Sequence, residues 1–280
     1  GQIERNLMLI NENLLTYRHT FVEKHTVDVL LGLSVQKDER NSIGTWGKDS
    51  PSDLIHYISW YGNVYNVNDN RTLKDGITGR EVSTSVGVFG RLNYNYLERY
   101  FLSVTLSRDA SSKFGENVRW GTFPSYAVAW TFSEEPFMGW CGDVLYHGKL
   151  RVSYGKSGKQ FDQPYIAQGS FSPGDPYLGN PTIHPDLARG LSNKYLTWEE
   201  TGQYDFGLDL DFFDHRFGVV VDYYYRYTDK LLYPVMLPGN YSAFNRQWRN
   251  AYAISNEGIE FEVKWNAFRS DKLNGNISFN

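Results

Sequence analysis

Apolar and polar residues alternate with a period of two along much of the chain. Val27, Val29, Leu31, Leu33 and Val35 share one parity, with Asp28, Gly32 and Ser34 on the other. Leu102, Val104 and Leu106 alternate with Ser103, Thr105 and Ser107, and Tyr126, Val128, Trp130 and Phe132 alternate with Ser125, Ala127, Ala129 and Thr131. The pattern returns at Leu150, Val152 and Tyr154, at Tyr204, Phe206, Leu208, Leu210 and Phe212, and at Ile259, Phe261, Val263 and Trp265. Successive strand side chains point to opposite faces, so each segment predicts a strand with one apolar and one polar face. Asp205, Asp209 and Asp211 would line one side of a single strand. A dry core does not take three carboxylates together. That face therefore meets water, and the opposite face meets either a sandwich core or lipid.

The connections separate these two readings. Short links at 22–24, 97–99, 213–215 and 268–272 alternate with long ones at about 36–80, 109–121, 156–198 and 229–252. Outer-membrane barrels carry short turns on one side and long loops on the other, whereas a soluble sandwich keeps most connections short. The link 133–148 is long where a short turn is expected, and Pro136 and its glycines suggest a turn with a small embedded helix. Tyr94, Tyr96, Tyr100, Phe101, Phe132, Phe137, Phe212, Phe213 and Phe217 cluster beside the short links, as an interfacial girdle would. The predicted fold is all-β: antiparallel strands forming part of a large transmembrane β-barrel. Residues 1–280 read as a single barrel segment, with no internal boundary or repeat.

Composition narrows the function. Aromatics make up 16% of the 280 residues, which suits strands and membrane interfaces. The net charge of −4 excludes a nucleic-acid surface. No apolar run is long enough for a transmembrane helix, which says nothing against barrel strands. The chain opens without a signal peptide, as a barrel begun in mid-chain would. Cys141 is the single cysteine, and the histidines lack metal-ligand spacing, so no cofactor or metal is expected. Gly155-Lys156-Ser157-Gly158-Lys159 lacks the spacing of a phosphate loop. No Ser/His/Asp set can be assembled, so no catalytic residue is assigned and an enzyme is not expected.

A set of ordered motifs resembles the SusC/RagA family of TonB-dependent outer-membrane transporters. It begins with Gly90-Arg91-Leu92-Asn93-Tyr94-Asn95-Tyr96 and Arg99-Tyr100-Phe101-Leu102. It continues through Arg108-Asp109-Ala110-Ser111-Ser112-Lys113-Phe114-Gly115, Trp120-Gly121-Thr122-Phe123-Pro124-Ser125, Trp130, Glu135-Pro136-Phe137 and Leu150-Arg151-Val152-Ser153-Tyr154-Gly155. Asp222-Tyr223-Tyr224, Thr228-Asp229-Lys230-Leu231-Leu232 and Asn256-Glu257-Gly258-Ile259-Glu260 complete it. The resemblance covers roughly residues 14–270. Ala110 stands where the family pattern has Gly, and Gly148 where it has an apolar residue. The resemblance implies the barrel portion of a nutrient importer in the outer membrane of a Gram-negative bacterium. It implies uptake of an oligosaccharide or peptide, a SusD-like surface lipoprotein as partner, and TonB acting through a plug that this chain lacks. About ten strands are legible, against about 22 in large plugged transporters. The alternatives are a soluble secreted β-rich binding or adhesion module and an outer-membrane barrel enzyme.

Arg108, Asp109, Arg119 and Trp120 are the candidate substrate or loop contacts richest in motif. For Arg108 and Asp109 the preferred reading is structural: they end a strand, and paired charges with Ser111 and Ser112 hold the loop base. The loops 36–80 and 156–198 are better ligand or partner surfaces. They carry Trp46, Trp60, Tyr61 and Tyr65, then Phe161, Tyr165, Phe171 and Tyr177, aromatics able to stack on sugars or grip peptide. Trp60 and Tyr165 are the candidates named from these loops.

Overall fold

The computed structural model describes residues 2–45, 76–142, 144–239, 243–270 and 273–280. Ten strands form one sheet: β1 (Gln2–Phe21), β2 (His25–Thr45), β3 (Gly76–Tyr96), β4 (Tyr100–Ser111), β5 (Trp120–Thr131), β6 (Leu145–Lys159), β9 (Glu199–Phe212), β10 (Phe217–Met236), β11 (Arg246–Ser270) and β12 (Leu273–Phe279). They lie in chain order, and a separate hairpin, β7 (Phe171–Tyr177) with β8 (Asn180–Pro185), interrupts the link between β6 and β9. The pairings from β4 to β12 are antiparallel. The chain divides into two compact units, Gly1–Asn11 with Val35–Ser85, and Glu12–Ser34 with Val86–Asn280.

In the larger unit, register turns the period-two pattern into rows. Leu102, Val128, Val152, Phe206, Tyr223 and Ile259 are successive cross-strand partners. On one side of this row run Tyr126, Tyr154, Tyr204 and Tyr225. On the other run Tyr100, Trp130, Leu150, Leu208, Val221 and Phe261. Phe212, Phe217, Trp265 and Ile277 form the row nearest the short links. From Tyr204 to Phe212 the strand advances about 27 Å, or about 20 Å along the normal at a tilt of roughly 40°, close to the roughly 25 Å apolar band of an outer-membrane barrel. Tyrosines bound this band on one side and Phe and Trp on the other, with mixed aliphatic and aromatic rows between.

No protein layer covers that face among the described residues. Leu106, Val128 and Ile259 are 54%, 55% and 73% exposed. Each large apolar side chain left in water forgoes about 1.5–3 kcal/mol, so rows of them demand an apolar medium. A sandwich would supply it with a second sheet, but among the described residues the other sheet is the two-stranded β7–β8 hairpin. Hydrocarbon is the medium that fits.

The opposite face is wet and cross-linked. Arg151 on β6 makes two 2.8 Å bonds to Asp209 on β9 and a 2.9 Å bond to Asp222 on β10. Asp205 accepts from Ser153 and Gln203, and Gln203 accepts from Arg226. Asp211 pairs with His215 at 3.2 Å. All of these groups are part-exposed, so the carboxylates keep water as well as partners.

Strands outrun their alternation. β2 continues to Thr45, and β10 and β11 approach each other as far as Met236 and Arg246, into segments read from sequence as loop. Beyond the apolar band both faces meet water, so pairing persists where the pattern lapses. In the smaller unit Arg40 pairs with Glu4 at 2.7 Å and Arg80 with Glu39 at 3.1 Å. The Gly155–Lys159 run is likewise strand rather than loop. The link expected at 268–272 narrows, since β11 reaches Ser270 and β12 starts at Leu273.

The short links are tight. Lys24 N bonds Phe21 O and Arg99 N bonds Tyr96 O, closing two-residue turns. Their central residues, Val22, Glu23, Leu97 and Glu98, all hold φ between 50° and 58° without a glycine among them. This geometry matches the twist of paired strands, but costs a side-chain-bearing residue about 1–2 kcal/mol. Asn95 Oδ1 accepts from Glu98 N and offsets part of it. The longer link after β5 forms two 3-10 turns, Phe132–Glu134 and Pro136–Cys141, where a small helix is expected from sequence. Gly148 leaves room there for Phe132, since a Cβ would come within 2.5 Å of the ring. Glu135 ties this link to the sheet, accepting from the Tyr100 hydroxyl at 2.5 Å and the Trp130 indole at 3.1 Å. Those two bonds, chiefly the first, hold its carboxyl below the usual glutamate range.

Two outcomes follow from these links. Replacing Leu97 by Asn and Glu98 by Gly relieves the turn, and is expected to raise stability by about 1–2 kcal/mol, read as a higher urea midpoint for the full-length protein in detergent. The Glu135 contribution is complete above the ordinary glutamate value and is lost as pH falls through the lowered one. Hydrogen-exchange protection at Phe132–Cys141, with each rate divided by its intrinsic rate at that pH, is therefore expected to fall on acidification, and to be low at every pH in Glu135→Gln.

Candidate functional site

At the long-link end, two connections fold onto each other. Phe114, Phe123, Phe161, Ile166, Ala167, Leu196 and Trp198 form a buried cluster, with Leu232 and Trp248 packed against it. Phe114 and Leu196 are completely buried. Trp198 lies 4.9 Å from Phe114 and 5.5 Å from Phe123, centroid to centroid, and its indole donates to Arg119 O. Polar side chains clamp the backbone around this core. Thr197 Oγ1 donates to Val118 O, while Asn250 donates to Thr197 O and Lys230 O and accepts from Thr197 N. Gln168 donates to Ser112 O and Phe114 O. The buried Ser111 hydroxyl accepts from Gln160 and from Lys113 N. Gly115 runs so close to the 191–198 segment that a Cβ would lie 1.7 Å from Lys194 O.

The candidate residues fall on different sides of this construction. Arg108 and Trp120 come together, the guanidinium carbon 5.1 Å from the indole centroid. Both share the parity of the apolar rows, so the pair stands on the outward face just beyond the tyrosines. Asp109 points the other way, accepting from the Ser107 hydroxyl and abutting Gly87. Arg119 lines a cavity between the 112–119 and 191–195 links. Tyr165 sits in the 160–170 link with φ 67° and is 36% exposed, and its carbonyl accepts from Gly169 N. Trp60 lies outside the described residues, as do Trp46, Tyr61 and Tyr65. Phe161 is a correction: it is 7% exposed and packs on Trp248, so it belongs to the core and not to a ligand surface. Phe171 and Tyr177 are exposed on the β7–β8 hairpin. Ala110 pairs with Trp120 as ordinary strand, so the missing glycine changes no turn.

Sequence reasoning did not find the Phe114–Leu196–Trp198 core. Its members are scattered over three segments and follow no period. The signal available was the close spacing of Phe114-Gly115 and Trp120-Gly121, aromatics beside glycines at a loop base. Among the described residues no group of His, Cys, Asp and Glu is placed to hold a metal.

A family profile described as "TonB dependent receptor-like, beta-barrel" matches residues 9–280. The chain belongs to this TonB-dependent receptor-like β-barrel family. Its place is the outer membrane, the apolar rows face lipid, and the ion-paired face looks into the barrel. It is similar to the TonB-dependent receptor P39 of Formosa agariphila, 34% identical over 274 residues, covering 96% of this chain and 25% of the relative. It is also similar to the TonB-dependent receptor SusC of Bacteroides thetaiotaomicron, 33% identical over 206 residues, covering 71% and 20%. The chain thus spans about a quarter of the length of these curated relatives. Its fold matches a solved RagAB peptide transporter with a TM-score of 0.84 at 23% identity, covering 96% of this chain and 29% of that one. The siderophore receptor PirA of Acinetobacter baumannii gives 0.58 at 12%. The soluble-module alternative is thereby set aside.

The loop core of this TonB-dependent barrel segment is open to test. Trp198→Ala is expected to destabilise the rim by about 3–5 kcal/mol. Limited proteolysis of intact cells is then expected to cut the 160–198 link in the variant and to spare it in the wild type.

Proposed function

We propose that the chain is the barrel portion of an energy-dependent importer that carries oligosaccharides or peptides across the outer membrane. The observation that carries this reading is the two-faced sheet: an uncovered apolar band on one side and the Arg151–Asp209–Asp222 network on the other. Such a wall encloses a polar passage, and the folded loops stand at one end of it. The RagAB likeness supports a peptide, and the ordered motifs that resemble the SusC/RagA family imply an oligosaccharide as the other substrate class. A SusD-like surface lipoprotein partner and TonB acting on a plug complete the assembly. Transport here is gated binding and passage without covalent chemistry, so no residue is given a catalytic role. Arg119 and Tyr165 are the proposed loop contacts. Arg108, Trp120 and Asp109 hold the loop base.

Disruption of the gene in its host tests this. Uptake of labelled oligosaccharides or of labelled peptides is expected to fall about tenfold or more, the remainder being flux through other routes. It should fall equally on collapse of the proton gradient. Undiminished uptake of both classes in the disrupted strain refutes the importer reading.

A further inference from the structure

We propose that the cavity between the 112–119 and 191–195 links is a subsite for the anionic group of a carboxylated or sulfated oligosaccharide. The proposal rests on the import reading above and narrows its substrate. The cavity measures about 490 Å³ and is lined in part by Glu116, Arg119, Gln168, Lys194, Tyr195 and Gln247. That volume lies within the usual range of ligand sites.

Arg119 is the centre of the case. Its Nε is buried and has no hydrogen-bond partner. Its backbone cannot retreat, because Arg119 O accepts from both the Ser111 amide and the Trp198 indole. Arg119 also lines the cavity and, among the described residues, has no carboxylate partner, so an oxyanion bound there meets an unpaired guanidinium. Lys194 adds a second cation, held 5.1 Å from the Tyr195 ring. Glu116 is an exposed carboxylate of the lining and, among the described residues, makes no ion pair with Arg119 or Lys194. Two cations, Arg119 and Lys194, against one carboxylate, Glu116, leave the lining with a net positive charge.

The remaining lining is already committed. Gln168 donates to Ser112 O and Phe114 O, and Gln247 donates to Ser192 O and accepts from Arg249. These amides frame the cavity and leave Arg119 and Lys194 to select the ligand. Neutral sugar hydroxyls also accept hydrogen bonds, but a charged acceptor bonds roughly twice as strongly. Tyr195, 67% exposed at the rim, offers a flat apolar face of the kind that sugar rings pack against. That favours an acidic saccharide over an acidic peptide.

The test uses the full-length receptor in detergent micelles and four probes of matched length: dextran, carboxymethyl-dextran, dextran sulfate and oligoglutamate. At about 50 mM salt, where screening is modest, one charged dextran is expected to bind about tenfold or more tighter than dextran. Arg119→Gln and Lys194→Gln are each expected to remove most of that preference, about tenfold for one charge-assisted bond, while the exposed Lys159→Gln leaves it intact. Should Arg119→Gln fail to fold, shown by lost heat-modifiable mobility, Lys194→Gln carries the test, since Lys194 is exposed. Equal binding of charged and neutral dextrans overturns the subsite, as does preference for oligoglutamate, insensitivity to both substitutions, or binding of none of the probes. Binding of neutral dextran alone sinks the anionic subsite yet leaves the importer standing. Loss of the importer itself is read separately, from uptake by the disrupted strain.

Discussion

A backbone that crosses hydrocarbon must satisfy every N–H and C=O within the protein, because lipid offers no partner. The ten-stranded ladder is the response of this chain to that constraint, and the side-chain pattern is subordinate to it. With pairing continuous from strand to strand, one parity is committed to lipid and the other to the barrel interior. The rows through Val128, Val152 and Phe206 and the bridges through Arg151 are two consequences of one register.

How much of this was legible depended on where the chain meets lipid. Within the band, alternation reports the faces directly, and Leu102, Val104, Leu208 and Leu210 stand on the uncovered face that the pattern assigns them. Where both faces are wet alternation carries no information, and Lys37 to Arg40 show no period although they are strand. The same segments were read as loop for that reason. Turn positions were legible by length, but their conformation was not: Leu97 and Glu98 carry none of the residues that advertise a positive φ.

The candidate site was less readable still. Motif residues drew attention to Arg108, Asp109, Arg119 and Trp120, yet neighbours in sequence face opposite ways in space. Arg108 stacks on Trp120 toward the outside, whereas Asp109 turns inward to Ser107. The loop core escaped notice because its contacts join residues as distant as Phe114 and Trp198, and no local pattern encodes such a meeting. Phe161 shows the hazard, since an aromatic in a long loop serves packing as readily as recognition.

The packed rim bears on the kinetics of capture. A loop that must order around its cargo loses conformational entropy at the moment of encounter, and both affinity and arrival rate suffer. Here Phe114, Leu196 and Trp198 have already immobilised the 112–119 and 191–198 segments before any solute arrives. For the importer proposed above, encounter with a solute would then be limited by diffusion and orientation, and selectivity would reside in how fast each solute leaves.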